Sequence, residues 1–173
     1  SYLSNNSQRF VDKLPLNILM AGVILRALPQ ARIVCLVREP LDTIIGNYRQ
    51  VFEQASGAYA HTLDLNALAN FVFEFRELVV SLQKQFPQRF IVVNYEDLVA
   101  EPLQQAKVLF DFCELTWDDA YIEIHKNKAQ IGTASAAQVQ EPIHQKSLGH
   151  SQHYMFCLQE IKTAFLSKQG VGE

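Results

Sequence analysis

Three short apolar runs in the sequence are each followed by a residue that could take part in ligand binding. These residues are Lys13, Arg38 and Tyr95. If the runs are parallel strands of one open sheet, their carboxyl ends lie along one edge, where ligands bind in such folds. We therefore expect the three side chains to converge on one cleft.

The chemistry of this predicted cleft is that of an anion site beside an aromatic ring. Lys13 and Arg38 supply two positive charges. Pro40 suits the first turn of a helix, whose free N–H groups would add partial positive charge beside Arg38. The ring of Tyr95 suits a nucleotide base, because it combines an apolar face with a hydrogen-bonding group.

Each of these residues also has a purely structural interpretation. Arg38 could form an ion pair with Asp42, four positions later on the predicted helix. Lys13 could be a solvated lysine at a strand end, and Tyr95 could be a half-buried strand residue. The acidic residues 96 and 97 are expected to cap the following turn rather than to do acid–base chemistry. The three strand ends together favour a binding site more strongly than any single residue does.

The composition is that of one globular domain without a general affinity for nucleic acid. The 173 residues are 49% apolar and 19% charged, and their net charge is −3. The three cysteines are widely spaced and are expected to be reduced. The five histidines lack the spacing of a metal site, so no metal is expected. No apolar run reaches the ~18 residues that a membrane-spanning helix needs.

Strand and helix patterns alternate along the chain, which predicts an α/β fold with a parallel sheet. The second and third strands are apolar at both parities, as expected of strands that are covered on both faces. A loop is predicted for Gln130–Gly149, because this segment lacks a periodic apolar face. The predicted strands are Arg9–Asp12, Arg32–Val37 and Phe90–Asn94. The predicted helices are Pro15–Leu28, Pro40 to about Gln54, Leu65–Phe86, Pro102–Cys113, Trp117–Lys126 and Gln152–Leu166.

Five motifs give the chain a resemblance to a known family. In chain order they read DKLPLN, LVREPLDTIIGNY, VNYEDLVAEP, LFDFCELTWDD and TASAAQVQEPIHQKSLG. Over about Val11 to Tyr154 the chain resembles sulfotransferases that use 3′-phosphoadenosine 5′-phosphosulfate (PAPS). It is most similar to bacterial enzymes of the tyrosylprotein type, which are often fused to tetratricopeptide repeats. The resemblance implies a P-loop-NTPase-like parallel sheet flanked by helices.

The resemblance also implies roles for individual residues. Arg38 would hold the 3′-phosphate of PAPS, and Tyr95 would lie near the adenine. Lys13 and Ser135 would stabilise the charge that develops around the sulfuryl group and the leaving phosphate. The loop Ser135–His144 would close over the nucleotide.

The sequence departs from the family pattern at three positions. Gly46 stands where the family has a serine that completes the 3′-phosphate site, and Asn47 is a possible substitute that points elsewhere on the helix. His150 replaces a lysine or arginine at the end of the flexible loop, as a weaker and pH-dependent cation. Ser151 replaces the aromatic residue that usually follows.

The resemblance further implies that residues 1–173 belong to a single sulfotransferase domain and form its C-terminal part. The family's 5′-phosphosulfate loop, first strand and general base would all precede it, together with a tetratricopeptide region. We therefore expect the chain alone to be inactive, and an intact enzyme to be a cytoplasmic bacterial protein. The hydroxyl acceptor cannot be read from the sequence, although Ala55–Leu65 is a candidate acceptor-side loop.

Two other functional classes are compatible with the sequence. Gly46 and His150 would also fit a degenerate nucleotide-binding or scaffold module that has lost catalysis. A nucleotide kinase of the same sheet topology would need a Walker-type glycine–lysine loop, and no such motif occurs in these residues.

Overall fold

The protein has a mixed α/β structure in which a small parallel sheet is flanked by helices, as predicted. A computed structural model describes residues 9–50, 57–122 and 143–169. In this part of the chain two strands pair in parallel, β1 (Ile33–Val37) and β2 (Phe90–Asn94). Both agree with the predicted strands to within one residue.

Six α-helices and four short 3₁₀ helices surround these strands in the described residues. The α-helices are α1 (Ala21–Ala27), α2 (Pro40–Tyr48), α3 (Leu65–Gln85), α4 (Tyr95–Ala100), α5 (Pro102–Phe112) and α6 (Met155–Gln169). The 3₁₀ helices are Pro15–Met20, Ala60–Leu63, Asp119–Ile122 and His150–Tyr154.

One face of the sheet packs on α1 and α3, because the inward residues of both strands are apolar. This core cluster contains Ala21, Leu25, Cys35, Val37, Val79, Leu82 and Phe90. The opposite face of β1 is different, since Val34 and Leu36 are 42% and 51% exposed. The prediction that β1 is covered on both faces is therefore wrong.

Helix α2 begins directly after the end of β1 and is held by a second core cluster. Its residues Leu41, Ile44 and Ile45 are buried. They belong to one cluster with apolar residues of α3 and α6, among them Leu68 and Leu158. The start of α2 is thus fixed relative to both the sheet and the C-terminal helix.

Helix α3 confirms the predicted long amphipathic helix. Asp64 caps its N-terminus, because the carboxylate accepts a hydrogen bond from the N–H of Ala67 at 2.7 Å. The helix ends at Gln85, two residues before Pro87, which cannot continue the helical hydrogen bonds. Its apolar stripe packs against the sheet and α2, so it connects the two core clusters.

The N-terminal strand prediction is wrong. Residues 9–12 form no strand, and Phe10 and Val11 are 68% and 92% exposed. Within the described residues no strand lies beside them, so their backbone groups have no ladder partner. The predicted helix Pro15–Leu28 is helical over nearly its whole length, but its first part, Pro15–Met20, is a 3₁₀ helix, and the α-helix α1 begins only at Ala21.

The remaining elements agree with the predictions in part. Helix α5 ends one residue before the predicted Cys113, and the C-terminal helix is preceded by a 3₁₀ turn. Helix α4 was not predicted, because its six residues carry no apolar period. Helix α2 ends at Tyr48, so the prediction that this helix continues to about Gln54 is wrong. Residues 51–56 and 123–142 lie outside the described part, which leaves most of the loop untested. No helix in the described ranges is long and apolar enough to cross a bilayer.

Candidate nucleotide site

Arg38 and Tyr95 meet at the carboxyl edge of the sheet. Val37 lies opposite Asn94 in the parallel register, so the next residue of each chain segment emerges at the same edge. The guanidinium carbon of Arg38 lies 5.1 Å from the centre of the Tyr95 ring. This distance is within the range of a cation–π interaction. The two strand ends that were predicted to share a cleft are thus in contact.

Among the described residues, the guanidinium of Arg38 donates hydrogen bonds through Nη2 alone. Its Nη2 donates to Oδ2 of Asp42 at 3.0 Å and also to the carbonyl oxygen of Ser147. Its Nε is buried and has no hydrogen-bond partner within the described structure. The ion pair with Asp42 therefore forms, and Nη1 has no hydrogen-bond partner among the described residues.

Asp42 is a buried carboxylate that is satisfied by its surroundings. Its side chain is 2% exposed. Oδ1 accepts from the N–H of Ser151 at 2.7 Å, and Oδ2 accepts from the N–H of Gly149 at 2.8 Å. Burial alone would raise the pKa of Asp42, but the hydrogen bonds from Ser151, Gly149 and Arg38 outweigh it, and the pKa lies below its usual value. Asp42 therefore stays ionised beside Arg38.

The position of Gly46 leaves space beside the same cation. A Cβ atom added at Gly46 would lie 4.0 Å from Nη1 of Arg38, which is an ordinary van der Waals distance. A serine at this position would thus bring its hydroxyl close to the guanidinium. Asn47 does not take over this place, because its Nδ2 donates to the carbonyl oxygen of Thr43 at 2.8 Å.

The start of α2 is already occupied by carboxylates. The side chain of Glu39 accepts from the N–H of Asp42 at 2.6 Å. The N–H of Glu39 donates to Oε1 of Glu96 at 2.9 Å. The expectation that free N–H groups of this helix complement an anion is therefore wrong at Asp42. Positive charge at the site comes from side chains instead.

A further cation at the strand end was missed by sequence reasoning. Nη1 of Arg76 in α3 donates to the carbonyl oxygen of Arg38 at 3.3 Å. Arg76 interrupts an apolar stripe without any motif around it, so the sequence carries no signal for this role. Its charge adds to that of Arg38 at the same edge of the sheet.

Three residues that were predicted for the site either form no hydrogen bond, ion pair or ring contact with Arg38 or Tyr95 in the described structure or lie outside it. Lys13 is exposed, and no hydrogen bond or ion pair joins it to another described residue. Ser135 lies outside the described residues. His150 follows Gly149 directly, but its Nε2 bonds with the carbonyl oxygen of Lys146 at 2.8 Å and its side chain is exposed. The roles of all three stay predictions.

In the described residues, the cysteines and the possible metal ligands do not form a second candidate site. Cys35, Cys113 and Cys157 are free thiols, and burial raises the pKa of Cys35 to about 11. Such a thiol is protonated at neutral pH and is a poor nucleophile. The described ranges contain no group of three His, Cys, Asp or Glu side chains that could hold a metal ion.

Comparison with known proteins relates this geometry to a family. The model of the sulfotransferase family matches residues 1–119, which is more than half of the chain. The chain belongs to the sulfotransferase family. The matched region includes Lys13, Arg38, Gly46 and Tyr95, whereas Ser135 and the segment around His150 follow it.

Two relatives of this sulfotransferase-family chain differ in how much they resemble it. An uncharacterised protein of Aquifex aeolicus (strain VF5) is 33% identical over 152 residues, which are 88% of this chain and 20% of the relative. Carbohydrate sulfotransferase 1 of Danio rerio is 29% identical over 117 residues, which are 61% of this chain and 28% of the relative. The chain therefore spans less than a third of the length of either relative.

Proposed function

We propose that this chain is the nucleotide-holding part of a sulfotransferase that transfers the sulfuryl group of PAPS to a hydroxyl acceptor. The contact between Arg38 and Tyr95 carries this proposal. A guanidinium whose Nη1 has no partner among the described residues suits a phosphate dianion, and an adjacent phenol ring suits a purine. Membership of the sulfotransferase family supports the reaction class.

In the proposed reaction the acceptor oxygen attacks the sulfur atom of PAPS. A new bond forms between that oxygen and sulfur, and the bond from sulfur to the bridging phosphate oxygen breaks. A general base, which we place outside this chain, takes the acceptor proton, and adenosine 3′,5′-bisphosphate leaves. Arg38 would bind the 3′-phosphate, while Lys13 and Ser135 would stabilise the charge on the leaving phosphate. Such a transfer depends mainly on positioning and on fixed charges.

Nucleotide binding tests the proposal directly. We expect the polypeptide that contains this chain to bind adenosine 3′,5′-bisphosphate in isothermal titration calorimetry. Replacing Arg38 by alanine should weaken binding roughly 10- to 100-fold, because charge-assisted hydrogen bonds to the phosphate are lost. Arg89→Ala is a matched control, since the Arg89 guanidinium bonds to the carbonyls of Leu28 and Pro29 rather than to the sheet edge that holds Arg38. Equal affinity in the Arg38→Ala protein would refute the assignment.

The proposed activity belongs to a longer polypeptide and not to residues 1–173 alone. We expect residues 1–173 by themselves to transfer no labelled sulfate from PAPS, because we place the base and the phosphosulfate loop in a longer polypeptide. Sulfate transfer by the isolated chain would show that these parts are present after all. The larger size of both relatives is compatible with a longer enzyme.

The acceptor class is proposed from the two resemblances. The relative from Danio rerio is a carbohydrate sulfotransferase, which favours a carbohydrate hydroxyl. The motif resemblance to the tyrosylprotein type favours a protein tyrosine and an associated tetratricopeptide region. A panel of sugar and tyrosine-peptide acceptors with the longer polypeptide distinguishes these two possibilities.

A non-catalytic module is the second candidate, and two observations favour it. Gly46 offers no hydroxyl beside Arg38, and the ring of His150 is bonded to the carbonyl of Lys146. Both features would follow if selection for tight nucleotide binding had been lost. Absence of calorimetric binding to adenosine 3′,5′-bisphosphate in the longer polypeptide would favour this candidate over the enzyme.

A further inference from the structure

We propose that Asp42 is a positioning residue, which fastens the segment Ser147–Ser151 to the start of α2 and holds the Arg38 guanidinium in its binding orientation. The consequence for ligand binding rests on the proposed function. The geometry itself does not, because it follows from hydrogen bonds within the chain.

The first observation is the isolation of this carboxylate from water. Asp42 is the only acidic residue that is buried in the described part of the chain. An ionised carboxylate is costly to bury unless each oxygen is hydrogen-bonded. Both oxygens of Asp42 receive backbone N–H groups from residues more than 100 positions away, Gly149 and Ser151. The bonds therefore join two remote parts of the chain rather than stabilise one helix.

The second observation is the backbone shape of the segment that Asp42 binds. Gly149 has φ of +70°, which is the left-handed region that side-chain-bearing residues rarely adopt. A Cβ atom at this position would lie 3.4 Å from Nε2 of Gln152, which is ordinary van der Waals contact, so the backbone conformation and not a lack of space favours glycine. The glycine lets the chain turn so that two N–H groups, its own and that of Ser151, point at one carboxylate.

The third observation is that Arg38 shares the same carboxylate oxygen. Nη2 of Arg38 and the N–H of Gly149 both donate to Oδ2 of Asp42, and Nη2 also reaches the carbonyl of Ser147. The guanidinium is thereby fixed over Tyr95, with Nη1 turned toward Gly46. One carboxylate thus determines both the orientation of the cation and the position of Gly149 and Ser151 beside α2.

The carboxylate also opposes anion binding through its charge, so its two effects predict different outcomes. If Asp42 acted only by repulsion, its neutralisation would strengthen binding of a phosphate near Arg38. If it positions Arg38, its neutralisation weakens recognition of that phosphate. An asparagine at this position would retain one acceptor oxygen but would set its NH₂ group against other donors.

The test combines amide exchange with nucleotide discrimination in wild-type protein and in Asp42→Asn. We expect exchange at Gly149 and Ser151 to accelerate roughly tenfold or more, because charge-assisted bonds are lost. The preference for adenosine 3′,5′-bisphosphate over adenosine 5′-monophosphate should fall by about tenfold. General destabilisation would not change this ratio, because it affects both nucleotides equally. Asp64→Asn is the matched control, since Asp64 caps α3 and asparagine caps equally well.

A second variant keeps the test decisive if Asp42→Asn does not fold. Gly149→Ala preserves both charges but strains the turn, and it should also accelerate exchange at Ser151 and reduce the nucleotide preference. Unchanged exchange in both variants would overturn the fastening role. A preserved or increased preference in both would overturn the positioning role. If the wild type binds neither nucleotide, the proposed function and the positioning of Arg38 for phosphate both fail, while exchange still decides the fastening.

Discussion

At the scale of single residues, the site depends on which N–H groups of Arg38 bind to the protein and which can bind a ligand. Nη2 of Arg38 serves the carboxylate of Asp42 and the carbonyl of Ser147, and the guanidinium lies over Tyr95. Nη1 faces the space beside Gly46. The site is therefore an oriented cation, and the residue at position 46 determines which group lies beside its Nη1.

Replacing Gly46 by serine should add the missing hydroxyl to the phosphate site at Arg38. The added Cβ meets no close contact, and the hydroxyl supplies one more hydrogen bond for a phosphate at Arg38. Because such a bond to a charged group contributes about 1.5 kcal/mol or more, we expect adenosine 3′,5′-bisphosphate to bind roughly tenfold more tightly by calorimetry. Gly46→Ala is the control, since it also adds a Cβ atom and raises the helix propensity above that of glycine, but supplies no hydroxyl. An equal gain in both variants would contradict this account.

At the scale of elements, the sequence predicts most of what a regular apolar pattern can specify. The strands Ile33–Val37 and Phe90–Asn94 and the long helix α3 are close to their predicted bounds. Arg38 and Tyr95 could be paired in advance, because parallel strands end at a common edge. The hydrogen bonds from Gly149 and Ser151 to Asp42 could not be predicted, because no local pattern shows which remote N–H groups will reach a buried carboxylate. Arg76 was missed for the same reason.

The fastening of α2 to the segment at Ser151 has a pH dependence whose sign follows from Asp42. The pKa of Asp42 is lowered in the folded protein, so the hydrogen bonds to its carboxylate stabilise the fold fully at pH values above the ordinary pKa of 3.8. This stabilisation is lost as the pH falls through the lower pKa of the folded protein. We expect the free energy of unfolding, measured in urea, to fall more steeply below pH 4 in wild type than in Asp42→Asn. The difference between the two proteins should therefore shrink on acidification. A constant difference from pH 6 to the lowest pH at which both fold would contradict this.

At the scale of the whole molecule, one face of β1 has apolar side chains that the described residues cover only in part. Val34 and Leu36 are 42% and 51% exposed on the side of β1 that turns away from the core cluster. Within the described residues β1 pairs only with β2, so its other edge also has no strand. Unpaired edges and exposed apolar faces favour association with another strand. We propose that further residues of a longer polypeptide cover this face, as the greater length of both relatives allows.

This proposal predicts how residues 1–173 behave on their own. Without a cover, the isolated chain should self-associate through β1, so its sedimentation coefficient should rise with concentration. Changing Val34 and Leu36 to threonine keeps the β-propensity but removes apolar area, and it should reduce the association. Val80→Thr is the control, because Val80 is 47% exposed on α3, away from the strand. A chain that stays monomeric at all concentrations, or a control substitution that reduces the association equally, would contradict the proposal that further residues cover the face of Val34 and Leu36.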